Sequence, residues 1–198
     1  MRWWLLVFAC AAQAQEIESV LIYPPLEAPF KCSEHYAGQL RSLGDALGTD
    51  CLVERFVTED DRTWLRAYKT NGRTNHDWFG WRQPVMAPIS GDVVRVHVHS
   101  TTNAPGRMGR GLAGFVEVRS ADGVHVMVAH IREPSVAVGD QVMAGDVIAR
   151  VGNNGWSRSP HIHIGAWRER QPLQIRFDQT RFSFPAPGRQ LIEVPAPQ

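Results

Sequence analysis

Two histidines, His161 and His163, lie two residues apart in the segment SPHIHIGAW, residues 159–167. The apolar residues around them predict a β-strand, in which alternate side chains point to the same face. His161 and His163 therefore share one face, while Ile162 and Ile164 point toward a core. Because imidazoles bind zinc and transfer protons, this pair predicts a metal or catalytic site.

Further histidines precede this strand in the chain. The apolar segment MVAHI ends in His130, and the segment TNHDWFGW contains His76 and Asp77. Zinc prefers imidazole and carboxylate ligands in a tetrahedral shell, and a catalytic zinc keeps one position open. Other histidines beside such a site can transfer protons or stabilise an oxyanion. His97 and His99 repeat the two-residue spacing, but an arginine on the same strand face indicates a surface exposed to solvent.

The elements that would position these residues are short strands. From Pro84 onward, apolar or alternating segments are separated by Gly-Asp and Asp-Gly turns, with no helical period between them. This pattern predicts a mainly β fold with an antiparallel sheet. Residues 103–114 are rich in glycine and have no apolar period, so they predict a long surface loop.

The N-terminal segment, residues 15–71, has a different pattern. Ser33 predicts a helix N-cap, and Tyr36, Leu40, Leu43 and Leu47 follow at helical spacing, so a short helix is expected. Cys32 and Cys51 flank this predicted helix and are expected to form a disulfide that joins its two ends. Two buried free thiols are the alternative. We expect this segment to cap the sheet and not to carry chemistry.

The first 14 residues predict a signal peptide. Arg2 is followed by an apolar run and by the triplet Ala12-Gln13-Ala14, which is typical of cleavage after Ala14. The run is about half the ~20 residues of a membrane-spanning helix, so no stable span is expected. Removing Arg2 from 21 basic residues leaves 20, equal to the 20 acidic residues. The sequence therefore predicts an exported periplasmic or extracellular protein without general affinity for nucleic acid.

Several motifs, in a fixed order, resemble those of the lysostaphin-type (LytM-type) zinc metallopeptidases. The members of this family are peptidoglycan endopeptidases. They are QPVMAPISGDVVRV, VMVAHI, VAVGDQVMAGDVIARVGNNG and SPHIHI, within residues 72–170. The resemblance implies a small antiparallel β-sheet whose groove holds one zinc ion. It also implies that His163 binds zinc, while His161 and His130 act in catalysis.

The first metal motif departs from this family. The family has a histidine and, four positions later, an aspartate. Aligning Asp77 with the aspartate places Arg73 at the histidine position, and aligning His76 with the histidine places Gly80 at the aspartate position. We expect Asp77 to bind zinc in the family role, with His76 as a substitute third ligand. Arginine does not bind zinc, so an incomplete site is the alternative.

The sequence thus predicts an exported zinc metalloendopeptidase that cleaves peptide crosslinks of bacterial peptidoglycan. The alternative is a degenerate member that binds cell-wall peptides or activates another cell-wall hydrolase. The predicted organisation is a signal peptide at 1–14, an N-terminal segment at 15–71, a peptidase-like β core at 72–170 and a proline-rich tail at 171–198.

Overall fold

The computed structural model describes residues 16–182 and the strand Ile192–Glu193. The predicted signal peptide and half of the predicted proline-rich tail, residues 183–191 and 194–198, lie outside these residues. The described chain contains two short 3-10 helices, Asn75–Asp77 and Gln179–Arg181. Its strands are β1 Ser19–Ile22, β2 Phe30–Glu34, β3 Thr49–Val53, β4 Arg55–Glu59, β5 Arg62–Arg66, β6 Pro84–Met86, β7 Gly91–His97, β8 Phe115–Arg119, β9 Val124–Ala129, β10 Ile131–Arg132, β11 Gln141–Val142, β12 Val147–Val151, β13 Ile162–Arg168, β14 Gln171–Phe177 and β15 Ile192–Glu193.

The main sheet has the strand order β1-β14-β13-β9-β8-β7-β11, and β2 and β3 extend it beside β13. Strand β13 is central, because it pairs with β9 on one side and with both β3 and β14 on the other. Smaller sheets are formed by β10-β12-β6 and by β15-β4-β5. The β1–β14 and β15–β4 pairs are parallel, and the other pairs are antiparallel. The predicted mainly β, largely antiparallel fold is confirmed.

The core consists of apolar side chains from facing strands of these sheets. Ile162, Ile164 and Ala166 of β13 are fully buried, as the alternation of the H-x-H strand predicts. No helix in the part of the chain that the structure describes is long and apolar enough to cross a membrane.

The predicted N-terminal helix is wrong. Strand β2 continues to Glu34, and turns occupy most of the chain up to the start of β3. Gly38 and Gly44 have φ angles of 85° and 92°, which interrupt any right-handed helix. Tyr36 and Leu40 are 72% and 39% exposed, so the apolar side chains that predicted the helix do not pack against the rest of the protein.

Strand pairing crosses two of the predicted segment boundaries, which stay predictions from the sequence. The N-terminal segment is part of the main sheet, because β1 pairs with β14 and β3 pairs with β13. The boundary at residue 170 falls in the turn between β13 and β14, so the first part of the predicted tail is a sheet strand. In both cases strand pairing joins segments that are distant in the sequence.

The predicted disulfide between Cys32 and Cys51 is present. It joins neighbouring strands and not two helix ends, because Cys32 and Cys51 are directly opposite in the β2–β3 pair.

Candidate metal and catalytic site

Three histidines come together at the N-terminal end of β13. His161 immediately precedes the strand, and His163 is its second residue. His130 follows β9, the neighbouring strand. Its backbone φ angle is 60°, which is unusual for a residue other than glycine. The His130 ring lies 4.6 Å from the His161 ring and 6.3 Å from the His163 ring, between centroids. All three are at most 9% exposed.

The N-terminal segment contributes two further residues to this cluster. Asp50 on β3 is directly opposite His163 on β13, and its Oδ1 lies 2.8 Å from His163 Nδ1. His35, just after β2, places Nε2 3.5 Å from Asp50 Oδ2 and stacks on His163 with 5.3 Å between ring centroids. Among the described residues, His35, Asp50 and His163 are the group of side chains that could hold a metal ion.

Backbone carbonyls fix the orientation of the two histidines in this group. His163 Nε2 lies 2.7 Å from the Gly44 carbonyl oxygen, and His35 Nδ1 lies 3.1 Å from the Asp45 carbonyl oxygen. If each of these nitrogens donates its hydrogen to the carbonyl, the other nitrogen of each ring faces Asp50. This arrangement is typical of metal-binding histidines, whose second nitrogen donates to a carbonyl or carboxylate.

His130 and His161 are held in the same way. His130 Nδ1 lies 2.8 Å from the Asn154 carbonyl oxygen, and His161 Nδ1 lies 2.8 Å from the Ser159 carbonyl oxygen. The Nε2 atom of each ring is therefore left for other partners, and that of His161 lies 3.9 Å from Asp50 Oδ1. Both rings have the orientation that proton transfer at Nε2 requires.

The members of the cluster differ in protonation state: His130 and His161 are neutral, whereas Asp50 and His163 form a charged pair. Burial lowers the pKa of His130 to about 3, and burial also lowers the pKa of His161, so both are neutral at neutral pH. Burial opposes ionisation of Asp50, but the hydrogen bond and positive charge of His163 outweigh it, and the Asp50 pKa falls to about 2. Although burial also disfavours the charged form of His163, the bond to Asp50 raises the His163 pKa.

Asp77 and His76 lie elsewhere. The Asp77 carboxylate accepts hydrogen bonds from the backbone N–H groups of Thr70, Asn71 and Gly72, so both of its oxygens hold a loop. His76 is exposed, and its ring lies 6.0 Å from the Trp81 ring. The candidate metal-binding group found among the described residues includes neither Asp77 nor His76. The zinc-ligand roles of Asp77 and His76 stay predictions from the sequence.

Sequence reasoning missed Asp50 and His35. Asp50 has Ala46 four positions before it, where the family pattern has a histidine. A search for the His–Asp pair therefore finds no signal at residues 46–50, and His35 is 15 positions before Asp50. The signal that does exist is structural: Asp50 is directly opposite His163 in the sheet.

The donor set fits zinc. Two imidazole nitrogens and a carboxylate form a common catalytic zinc site with one position left for water. Ligand atoms around tetrahedral zinc lie about 3.3 Å apart, given bonds of about 2.0–2.1 Å. One ligand atom from each of His35, Asp50 and His163 lies within 4.8 Å of the other two, so zinc binding would draw these atoms closer together.

Comparison with known proteins identifies the class. Residues 79–175, about half of the chain, match Peptidase family M23, and this part of the chain belongs to that family. The match begins after His76 and Asp77 and includes neither His35 nor Asp50.

Individual proteins are also similar to parts of this chain. The DD-carboxypeptidase/endopeptidase Mpg of Neisseria meningitidis serogroup B is 37% identical over 87 residues, which are 44% of this chain and 20% of that protein. The chain thus matches one fifth of the length of this relative. The catalytic domain of the prophage-encoded M23 protein EnpA from Enterococcus faecalis, solved as a mutant, is 22% identical with a TM-score of 0.46, over 74% of this chain and 87% of that chain. A structure of the SpoIIIAH and SpoIIQ complex gives 20% identity and a TM-score of 0.48, over 77% and 95% of the two chains.

Proposed function

We propose that this protein is an exported, zinc-dependent peptidase that cleaves peptide bonds in bacterial peptidoglycan. The observation that carries the proposal is the convergence of His35, Asp50 and His163 beside the neutral rings of His130 and His161. Membership of residues 79–175 in a peptidase family supports it. The curated relative, which is a DD-carboxypeptidase/endopeptidase by name, supports the type of bond cleaved.

In this proposal, His35, Asp50 and His163 hold the metal. Zinc, when bound, supplies a Lewis acid that activates water and polarises the scissile carbonyl. Because the Asn154 carbonyl holds Nδ1 of His130, Nε2 is the ring nitrogen that can take a proton from the attacking water and return it to the leaving amine. His161 Nε2 provides a second neutral group beside the same carboxylate.

Export is part of the proposal. The predicted signal peptide would direct the chain across a membrane, with cleavage after Ala14. The disulfide between Cys32 and Cys51 supports an oxidising compartment, because cytosolic thiols are kept reduced.

The test is zinc content and hydrolysis of purified peptidoglycan by residues 15–198, with products identified by mass spectrometry. We expect about one zinc per chain. His35→Ala, Asp50→Ala and His163→Ala should each lose most of the zinc. His130→Ala and His161→Ala should keep zinc and lose about a hundredfold or more in hydrolysis rate.

Asp77→Ala is the matched control, because it removes a carboxylate that holds a loop. It should keep zinc under this proposal. If Asp77→Ala loses zinc while His35→Ala keeps it, the ligands are those that the family motif predicts. Folded wild-type protein without zinc and without hydrolysis would overturn the enzyme proposal.

A second candidate function rests on the departure from the family's His–Asp motif: Ala46 and Arg73 lie four positions before Asp50 and Asp77, where the family has a histidine. This departure favours a binding module that has lost catalysis. In that case zinc-free wild-type protein should sediment with intact peptidoglycan, and neither chelator nor His35→Ala should change the bound fraction.

A further inference from the structure

The disulfide and two of the candidate metal ligands belong to the same β-hairpin. Cys32 is opposite Cys51, Ser33 is opposite Asp50, and the His35 N–H donates to the Gly48 carbonyl at 2.8 Å. Side chains alternate along strands, so Asp50 points to the opposite face from Cys51. His35 is three residues from Cys32 and also points away from the bridge. The bridge lies on the core side of the hairpin, and the ligands lie on the site side.

The two strands of this hairpin are anchored very differently. Strand β3 is held between β2 and β13, and Cys51 is completely buried in the core. Strand β2 pairs only with β3 among the described strands. Cys32 is the last half-buried residue of β2, because Ser33 and Glu34 are exposed. Tyr36, on the other side of His35, is also exposed, so the bridge is the nearest apolar side-chain anchor on β2.

We propose that the Cys32–Cys51 disulfide positions His35 against Asp50 and thereby completes the metal site. This inference rests on the proposed function, because it assigns His35 and Asp50 to one metal ion. In the family pattern, the histidine lies only four positions before the aspartate in the chain. Here Ala46 occupies that histidine position, and the bridge links the strand that carries His35 to the strand that carries Asp50. Cys32 and Cys51 are positioning residues in this proposal.

The experiment measures zinc affinity by chelator competition in four proteins: wild type, Cys32→Ala/Cys51→Ala, His35→Ala, and the triple variant. Circular dichroism and the Tm identify the temperature range in which each protein is folded. We expect the double variant and His35→Ala each to bind zinc about 10- to 100-fold more weakly than wild type. The triple variant should bind zinc no more weakly than His35→Ala.

The zinc affinities of these four proteins distinguish a bridge that positions His35 from a bridge that only stabilises the fold. A bridge that only stabilises the fold would lower the Tm and leave the zinc affinity of the folded protein unchanged, which would overturn the proposal. Additive losses in the triple variant would also overturn it. Should the double variant fail to fold, insertion of one glycine after Glu34 keeps the bridge and turns His35 to the other face. That variant should bind zinc as weakly as His35→Ala, and unchanged affinity would contradict the proposal.

A metal-free measurement distinguishes this proposal from the proposed function. Diethylpyrocarbonate modifies accessible neutral imidazoles, and the His35 side chain is 12% exposed in the bridged protein. In zinc-free protein, reduction of the bridge should increase the modification rate of His35 about tenfold or more, as positional restraint is lost. The exposed His76 serves as the internal reference. Unchanged reactivity of His35 would refute the positioning role, whether or not the protein hydrolyses peptidoglycan.

Discussion

Asp50 is the residue toward which the rings of the site converge, and its replacement by asparagine tests the electrostatics of the cluster. In zinc-free protein its carboxylate accepts from His163 at 2.8 Å and lies 3.5 Å from His35 and 3.9 Å from His161. Asparagine keeps the shape of the side chain and removes the charge. We therefore expect Asp50→Asn to lower the free energy of unfolding by an amount that depends on pH.

The magnitude follows from the Asp50 pKa, which falls from 3.8 to about 2 in the folded protein. A difference of about 1.8 pH units corresponds to about 2.4 kcal/mol. Because 35% of the Asp50 side chain is exposed, solvent screening reduces this contribution to roughly 1–1.5 kcal/mol.

The sign of the pH dependence has two parts. The lowered pKa of Asp50 gives stability that is present above about pH 3.8 and is lost as the pH falls through about 2. The raised pKa of His163 gives stability that is fully present below about pH 6.5 and is lost as the pH rises through the raised value. The penalty of Asp50→Asn should therefore be greatest between about pH 4 and 6.5 and should decrease on both sides.

The assay is urea denaturation of both proteins in the presence of a chelator, from pH 3 to pH 9. Asp77→Asn is the control, because backbone N–H groups, which do not titrate, hold the Asp77 carboxylate. Its penalty should not decrease above pH 6.5. A penalty of Asp50→Asn that stays constant from pH 4 to pH 9 would refute the reasoning, since it would show that His163 does not respond to the Asp50 charge.

Three further predictions concern the surroundings of the site. Burial lowers the pKa of His130 to about 3, so the wild-type free energy of unfolding should fall as the pH drops from 6.5 toward 3. In this range His130→Asn should reduce the number of protons taken up on unfolding by about one proton, measured from the slope of the unfolding free energy against pH. An added Cβ at Gly165 would lie 1.7 Å from the carbonyl oxygen that contacts His163 Nε2, so Gly165→Ala should cost about 1–3 kcal/mol in urea denaturation and weaken zinc binding. The control Gly80→Ala, whose Cβ would have no neighbour closer than 3.5 Å, should change little in either measurement. Replacing His97 and His99 together with glutamine should leave the zinc content unchanged by elemental analysis, and loss of zinc would show that this second H-x-H pair belongs to the site.

The sequence was sufficient for the features that depend on local pattern. Alternation in the H-x-H segment predicted that His161 and His163 share a face, and Ile162 and Ile164 are indeed fully buried behind them. The family resemblance implied a site shared by His130 and His161, and their rings lie 4.6 Å apart. These predictions succeeded because β9 and β13 follow from apolar segments that differ clearly from the turns between them.

The predictions failed where a local pattern competed with pairing between distant segments. The spacing of Tyr36, Leu40 and Leu43 matches a helix, but these side chains remain exposed and the chain forms turns instead. Asp50 contacts His163 across 113 positions of the sequence, and nothing near residue 50 indicates that pairing. Asp77 was assigned from the family pattern, and that assignment stays a prediction, while its carboxylate accepts hydrogen bonds from a neighbouring loop.

A metal site requires atoms in the right places and does not require a particular order of ligands along the chain. Neighbouring strands lie about 4.8 Å apart, so side chains on one face of adjacent strands can reach a common ion. Strands β2, β3 and β13 are adjacent in this order, and His35 follows the first while Asp50 and His163 lie on the other two. A histidine absent from position 46 can therefore be replaced from the neighbouring strand, provided that something holds this edge strand in register. In the proposed site, this requirement explains why the N-terminal segment, which we expected to cap the sheet, carries two of the three ligands and the disulfide beside them.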